Sequence, residues 1–214
     1  KNEKKLMFTA GPASLLKENI LSLNSCFGRG DNEYLVKEKF VLNKILKLSG
    51  QENIARMQGS GSLALEIMAI NFLYGKVLIV DTGYYSDRLF YLSSCAKKNF
   101  KNIKKINKIH WSQIDKFSEK YDWIFACSTE TSCGLKIPIK NLYKLKRRCK
   151  AKLMLDATAS IGLEKNHELS DVLGFSSCKG LFGLTGACFV AFSTKPKNEI
   201  NSFYMNIYSH LNKK

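Results

Sequence analysis

The sequence is short of the patterns that mark several functional classes. Its only three histidines, at 110, 167 and 210, are scattered and form no HExxH spacing, so no metal-ligand signature is present. Its seven cysteines, at 26, 95, 127, 133, 149, 178 and 188, are odd in number, and none pair as CxxC. That argues against a disulfide framework and for reduced thiols, so the expected compartment is the cytoplasm. An apolar run of about 18 residues and a secretory signal are both missing, so nothing directs the chain to a membrane. There is no internal repeat and no low-complexity linker. Acidic residues are few, 18 against 34 Lys plus Arg, giving a net charge of +16. Such an excess can mark a nucleic-acid surface, but these lysines are spread widely. The two dense stretches, KKNFKNIKKINK (97–108) and KLKRRCKAK (144–152), read as solvated faces, the second of an amphipathic helix. No nucleic-acid partner is expected.

What is there is a globular alternation. With 45% hydrophobic residues over 214 positions, the chain can bury one large core. EYLVKEKFVLNKILKL (33–48) has helical apolar spacing and stops at Gly50. QGSGS (58–62) opens a second apolar helix, and further helices fall near 86–98 and 140–150. Between them, 76–81, 122–127, 152–156, 171–176 and 187–193 read as short strands, apolar on both faces. Strands of that kind separated by helices predict an α/β fold with both faces of a mostly parallel sheet covered. The expected organisation is an arm over 1–20, a large domain over 21–195 and a closing segment over 196–214.

In such sheets chemistry gathers at the carboxyl ends of the strands. Ser60, Gly61 and Ser62 offer backbone N–H groups, hydroxyls and a helix start to a phosphate, or simply cap the helix. Asp156 ends the strand KLMLD, where a buried carboxylate needs a cationic partner or several donors. Lys179, within SSCKGLFG (176–183), follows a strand, and desolvation there frees a lysine amine for nucleophilic work. Tyr85 could stack on a planar ring or serve as a core aromatic. Each residue alone has an ordinary structural reading. Together they supply a phosphate cradle, a stacking ring, a carboxylate for a ring nitrogen and an amine for an aldehyde, the four things pyridoxal 5'-phosphate (PLP) asks of a protein.

Their order also carries a resemblance. FTAGPA (8–13), FGRGDNEY (27–34), QGSGSLALE (58–66), VLIVDTGYYSDR (77–88), ACSTETSCGLKIPI (126–139), LMLDATASIG (153–162) and SSCKGLFGLTGACFVAFS (176–193) are similar to successive motifs of the class V (fold type I) PLP-dependent aminotransferases. The resemblance implies the three-layer α/β/α large domain of that family. It implies that Lys179 forms the Schiff base and shuttles a proton, and that Asp156 holds the pyridine nitrogen. Tyr85 would lie over the ring, Thr131 near its hydroxyl, and Ser60, Gly61 and Ser62 around the phosphate. Ser177 and Cys178 would face the cofactor, with Gly11 and Arg29 toward the substrate. The implied activity is amino transfer from an aminoethylphosphonate- or alanine-like donor to a 2-oxo acid such as pyruvate or glyoxylate, by a homodimer. The family continues past Ser193 into a smaller domain that carries a carboxylate-binding arginine. A shortened, split or degenerate PLP-binding homologue is therefore the alternative.

Two other chemistries can be weighed. GSGSLA (59–64) fits GxGxxA, and Asp81 ends VLIVD, as in an NAD-dependent oxidoreductase. That reading makes NIARMQ (53–58) a central strand, for which it is poorly suited, and leaves Glu130, Asp156 and Lys179 without a role. Desulfuration needs a mobile nucleophilic cysteine, whereas Cys188 sits inside an apolar strand and Cys178 stands where those enzymes place a histidine.

Overall fold

The computed structural model describes residues 11, 17–23, 28 and 30–211. Arg29 and most of the FTAGPA segment lie outside them. After a short α1 (Lys17–Leu21), the apolar spacing of 33–48 becomes α2 (Asn32–Ser49), closed by Gly50 in the left-handed region with its N–H on the Leu46 carbonyl. Then follow β1 (Asn53–Gln58), α3 (Gly61–Phe72), β2 (Gly75–Asp81), α4 (Tyr84–Asn99), β3 (Ile103–His110) and β4 (Trp123–Cys127). A two-residue hairpin, β5 (Thr129–Glu130) with β6 (Leu135–Lys136), precedes α5 (Ile139–Cys149), β7 (Lys152–Asp156), β8 (Val172–Ser176) and β9 (Ala187–Phe192).

Seven strands form one sheet in the order β1-β9-β8-β7-β4-β2-β3. Pairings along β3-β2-β4-β7-β8 are parallel, while β9 runs antiparallel to both β8 and β1. Alternation along the strands sends side chains to two cores. Leu78, Val80, Ile124, Leu153, Leu155 and Phe175 pack under α2 and α5 through Leu42, Ile45, Leu142 and Leu145. On the other face, Val77, Ile79, Phe125, Met154, Val172 and Val190 pack under α3 and α4 through Ala64, Met68, Phe72 and Leu89. The result is the three-layer α/β/α architecture.

Two strands join those read from apolar runs, and both are sheet edges. β3 carries the sequence IKKINKIH with mostly exposed lysines, and β1 pairs with β9 alone. The position of β1 removes the dinucleotide reading. A Rossmann unit needs the strand before the glycine turn to lie beside the strand ending in the acid, and here four strands separate β1 from β2. Asp81 instead accepts from Ser86 Oγ (3.0 Å) and pairs with Lys108 (3.5 Å).

Residues after β9 return across α3. The Lys197 and Asn198 N–H groups donate to the Asn71 carbonyl, Ile207 N–H donates to Asn71 Oδ1 (3.1 Å), and Leu211 bridges to Ala55. Among the described residues no helix is long and apolar enough to cross a membrane. The six described cysteines are free thiols.

Candidate active site

A cavity of about 450 Å³ opens at the carboxyl ends of β4, β7 and β8, against the starts of α3 and α4. That lies within the range of small-molecule sites, roughly 300–1,000 Å³. Its wall takes the last residues of three neighbouring strands, Cys127, Asp156 and Ser176. Parallel register sets Cys127 beside Asp156, and Asp156 beside Gly174.

The α3 wall begins with Gly59-Ser60-Gly61-Ser62. Ser60 is the N-cap residue, yet its hydroxyl makes no bond back to the helix. Its carbonyl accepts from Leu63 and Ala64, and among the described residues nothing accepts from the N–H groups of Gly61 and Ser62. Those two donors and the positive end of the helix dipole are left to whatever enters the cavity. A Cβ on Gly61 would press on Thr158, 3.0 Å from its Oγ1, at the lip of the same cavity.

Asp156 is only 5% exposed. Its Oδ1 accepts from the Thr158 N–H (3.0 Å), and it has no ion pair among the described residues. Burial pushes its carboxyl above the ordinary range, opposed by hydrogen bonding from Thr158 and by the charges of Lys179 and Arg88. Lys179 stands on the loop joining β8 to β9, its Nζ 5.4 Å from the centroid of the Tyr85 ring. The loop is tied at its base by Ser177 N–H to the Ala187 carbonyl (3.0 Å) and Gly183 N–H to the Ser177 carbonyl (2.8 Å). A turn from the Lys179 carbonyl to the Phe182 N–H puts Phe182 at φ 52, an uncommon backbone angle for such a side chain. Gly180 lies so close to the turn after β7 that a Cβ would sit 2.1 Å from the Ile161 carbonyl oxygen.

Tyr85 is set by a buried carboxylate that sequence reading had only grouped with the strand-end residues. Glu130, fully buried, accepts from the Tyr85 N–H (3.1 Å), the Ser86 N–H (3.3 Å), Thr82 Oγ1 (3.1 Å) and Ser132 Oγ. An acidic group on the first N–H groups of α4 suits that helix end, and it fixes which way Tyr85 faces.

Of the residues expected from sequence, Ser60, Gly61, Ser62, Tyr85, Thr131, Asp156, Cys178 and Lys179 all line this one cavity. Ser177 does not: its hydroxyl donates to the carbonyls of Leu184 and Ala187 within its own loop, and Ser176 lines the wall instead. Gly11 is described in a bend but lies off the cavity, and Arg29 is outside the described residues. Sequence reading passed over Arg88, which lines the cavity from α4. Its spacing held a signal, because residues three and four positions after Tyr85 and Tyr84 lie on the same helix face.

The chemistry of these groups fits pyridoxal 5'-phosphate. An amine stands beside an aromatic face, a buried carboxylate lacks a cationic partner, and a helix start has two unspent N–H donors.

A family model described as Aminotransferase class-V matches residues 38–206. The chain is 26% identical over 199 residues to the 2-aminoethylphosphonate–pyruvate transaminase of Pseudomonas aeruginosa, covering 86% of this chain and 53% of that protein. It thus spans about half the length of the curated relatives it matches. Among solved structures it is similar to the pyridoxamine–pyruvate aminotransferase of Mesorhizobium loti, with a TM-score of 0.79 and 19% identity over 94% of this chain and 56% of that one. It is likewise similar to the PLP-bound phosphoserine aminotransferase of Trichomonas vaginalis, with a TM-score of 0.72 and 18% identity over 94% of this chain and 62% of that one. At those identities the solved structures speak to the fold alone.

Proposed function

Because this chain belongs to the class-V aminotransferase family, we propose that it binds pyridoxal 5'-phosphate in the cavity and transfers an amino group from a small donor to a 2-oxo acid such as pyruvate or glyoxylate. The observation that carries the reading is the convergence of Lys179, Asp156, Tyr85 and the free N–H groups of α3 on one cavity. When bound, the coenzyme supplies an aldehyde for an amine and an electron sink for a carbanion.

The chain's own residues divide the rest of the work. Among the described residues Lys179 is the only lysine lining the cavity. Its Nζ would hold the coenzyme through the aldehyde and, as a free amine, would be the base that moves the proton at the donor's Cα. Asp156 would pair with a ring nitrogen and keep it protonated, and the pairing would give its buried charge the partner it otherwise lacks. Tyr85 and Leu65 line the cavity, where Tyr85 would close one face of the ring and Leu65 would help to keep water from the reacting atoms. Thr131 and Cys178 would meet the ring's polar edge, and Ser60, Gly61 and Ser62 would take the phosphate. The donor is aminoethylphosphonate-like or alanine-like. The active species is a homodimer, a reading supported by the exposed apolar side chains Val36 and Phe40 on α2.

The test is spectroscopic first. The protein titrated with pyridoxal 5'-phosphate should develop a near-ultraviolet to blue band that borohydride removes, leaving a covalent adduct on Lys179. Lys179→Ala should show neither, and its amino transfer should fall by about 10³-fold or more, the scale expected when a covalent nucleophile and proton shuttle are lost together. A wild-type protein with no reducible adduct would overturn the reading. Adduct formation without conversion of any donor would favour the degenerate-homologue alternative.

A further inference from the structure

Arg88 is the one charged side chain of the cavity wall to which the reading above gives no work. It projects from the second turn of α4 back over that helix's start, as a long side chain on a helix does. Its guanidinium carbon lies 5.4 Å from the Tyr84 ring centroid and 5.2 Å from that of Tyr85. Nη1 donates to Ser62 Oγ (3.1 Å), and Nη2 reaches Tyr84 Oη at 3.5 Å. Two aromatic rings and a serine from another helix thus hold the plane of the guanidinium. Among the described residues it has no carboxylate partner within ion-pair distance.

A guanidinium has five N–H donors, and these contacts use two. The ionisable lining of the cavity is unbalanced: Arg88 and Lys179 stand against the single carboxylate of Asp156 among the described residues. An immobilised arginine with spare donors in a site of net positive charge is built for an anion, and for a planar or tetrahedral oxyanion above all. Its tether says which end of the ligand it meets. Ser62 belongs to the first turn of α3, the turn whose Gly61 and Ser62 N–H groups are unspent. Asp156 and Lys179 come from β7 and the β8–β9 loop.

We propose that Arg88 is the cavity's anion-binding residue and that its ligand is the phosphate monoester of the coenzyme, gripped between the guanidinium fork and the start of α3. Ser62 is then a positioning residue as well as a contact, because its hydroxyl fixes the fork. The proposal rests on the coenzyme reading. Phosphonate on the amino donor carries the same chemistry, so the experiment must separate the two sources.

Equilibrium titrations with pyridoxal 5'-phosphate and with pyridoxal, which lacks the phosphate, do so. Arg88→Gln should weaken pyridoxal 5'-phosphate by about 10- to 100-fold, the scale of losing a charge-assisted hydrogen-bonded pair, and change pyridoxal by no more than about twofold. Arg88→Lys keeps the charge without the fork and should fall between. Inorganic phosphate should compete with pyridoxal 5'-phosphate in the wild type and much less in Arg88→Gln. Equal weakening of both aldehydes in both variants would overturn the proposal in favour of a packing role. Unchanged affinity for pyridoxal 5'-phosphate with a raised KM for a phosphonate donor would overturn it in favour of the donor. A wild-type protein without a borohydride-reducible adduct would overturn the coenzyme reading and this proposal together, whereas an intact adduct with unaltered Arg88 variants would sink this proposal alone.

Discussion

At the scale of single residues, the site holds a conflict that the fold alone does not resolve. Asp156 ends β7 buried, and burial raises its carboxyl above the ordinary carboxylate value. A carboxyl raised in the folded state binds its proton more tightly there than in the unfolded chain. Its contribution to stability is therefore greatest below the unfolded value, near pH 4, and is lost as pH rises through the folded value. Asp156→Asn should accordingly melt at a higher temperature than the coenzyme-free wild type at pH 7, with the gap closing as pH falls toward about 4. Calorimetry of both proteins across that range checks it, and a variant less stable than the wild type at pH 7 would contradict it. The same substitution should abolish tight coenzyme binding. Such residues were legible in sequence because each ends a strand or starts a helix, where backbone position alone points a side chain at the crevice. Arg88 and Glu130 were less so. An arginine in mid-helix reads as surface until the rings beneath it are known. Glu130's five-donor environment comes from the residue after β2, the start of α4 and its own hairpin, which only the fold brings together.

Elements set where those residues stand, and α3 is the most constrained of them. It lies against β8 and β9 so closely that a Cβ on Gly174 would sit 2.4 Å from Met68 Sδ and 3.4 Å from Ala64 Cβ. Gly174→Ala should cost about 1–3 kcal/mol by overpacking. Combined with Met68→Ala it should cost less than the sum of the two single changes, by about 1 kcal/mol, because the second change vacates the space the first needs. Denaturant unfolding of the four proteins measures this directly, and strict additivity would show that the contact does not limit α3. Helices α2 to α5 and the five central strands could be read from apolar patterning, whereas the short α1 (Lys17–Leu21) could not. The edges could not. An edge strand has one neighbour and a solvated side, so β1 alternates imperfectly and β3 reads as a run of cations. Lysines on an edge also discourage pairing with another sheet, which gives part of the high net charge a structural use.

For the molecule as a whole, stability should carry a second pH signature. His167 is buried on the connection from β7 to β8, its Nε2 3.0 Å from Ser160 Oγ, and burial lowers its pKa below the ordinary value of about 6.5. The folded protein then binds that proton less readily than the unfolded chain, so stability is whole above about pH 6.5 and declines as pH falls through the window below it. His167→Asn should flatten this decline between about pH 6.5 and 5, as read by urea midpoints at successive pH values. An unchanged slope would assign the decline to other groups. The antiparallel strand β9 has one more effect on the whole. Among the described residues no other strand pairs with β1, and α3 rests on β8 and β9. A chain emerging from a ribosome therefore makes its glycine-serine turn early but cannot seat it until residues 187–192 have left the exit tunnel. A ligand that needs that turn would find its berth only once β9 has been made.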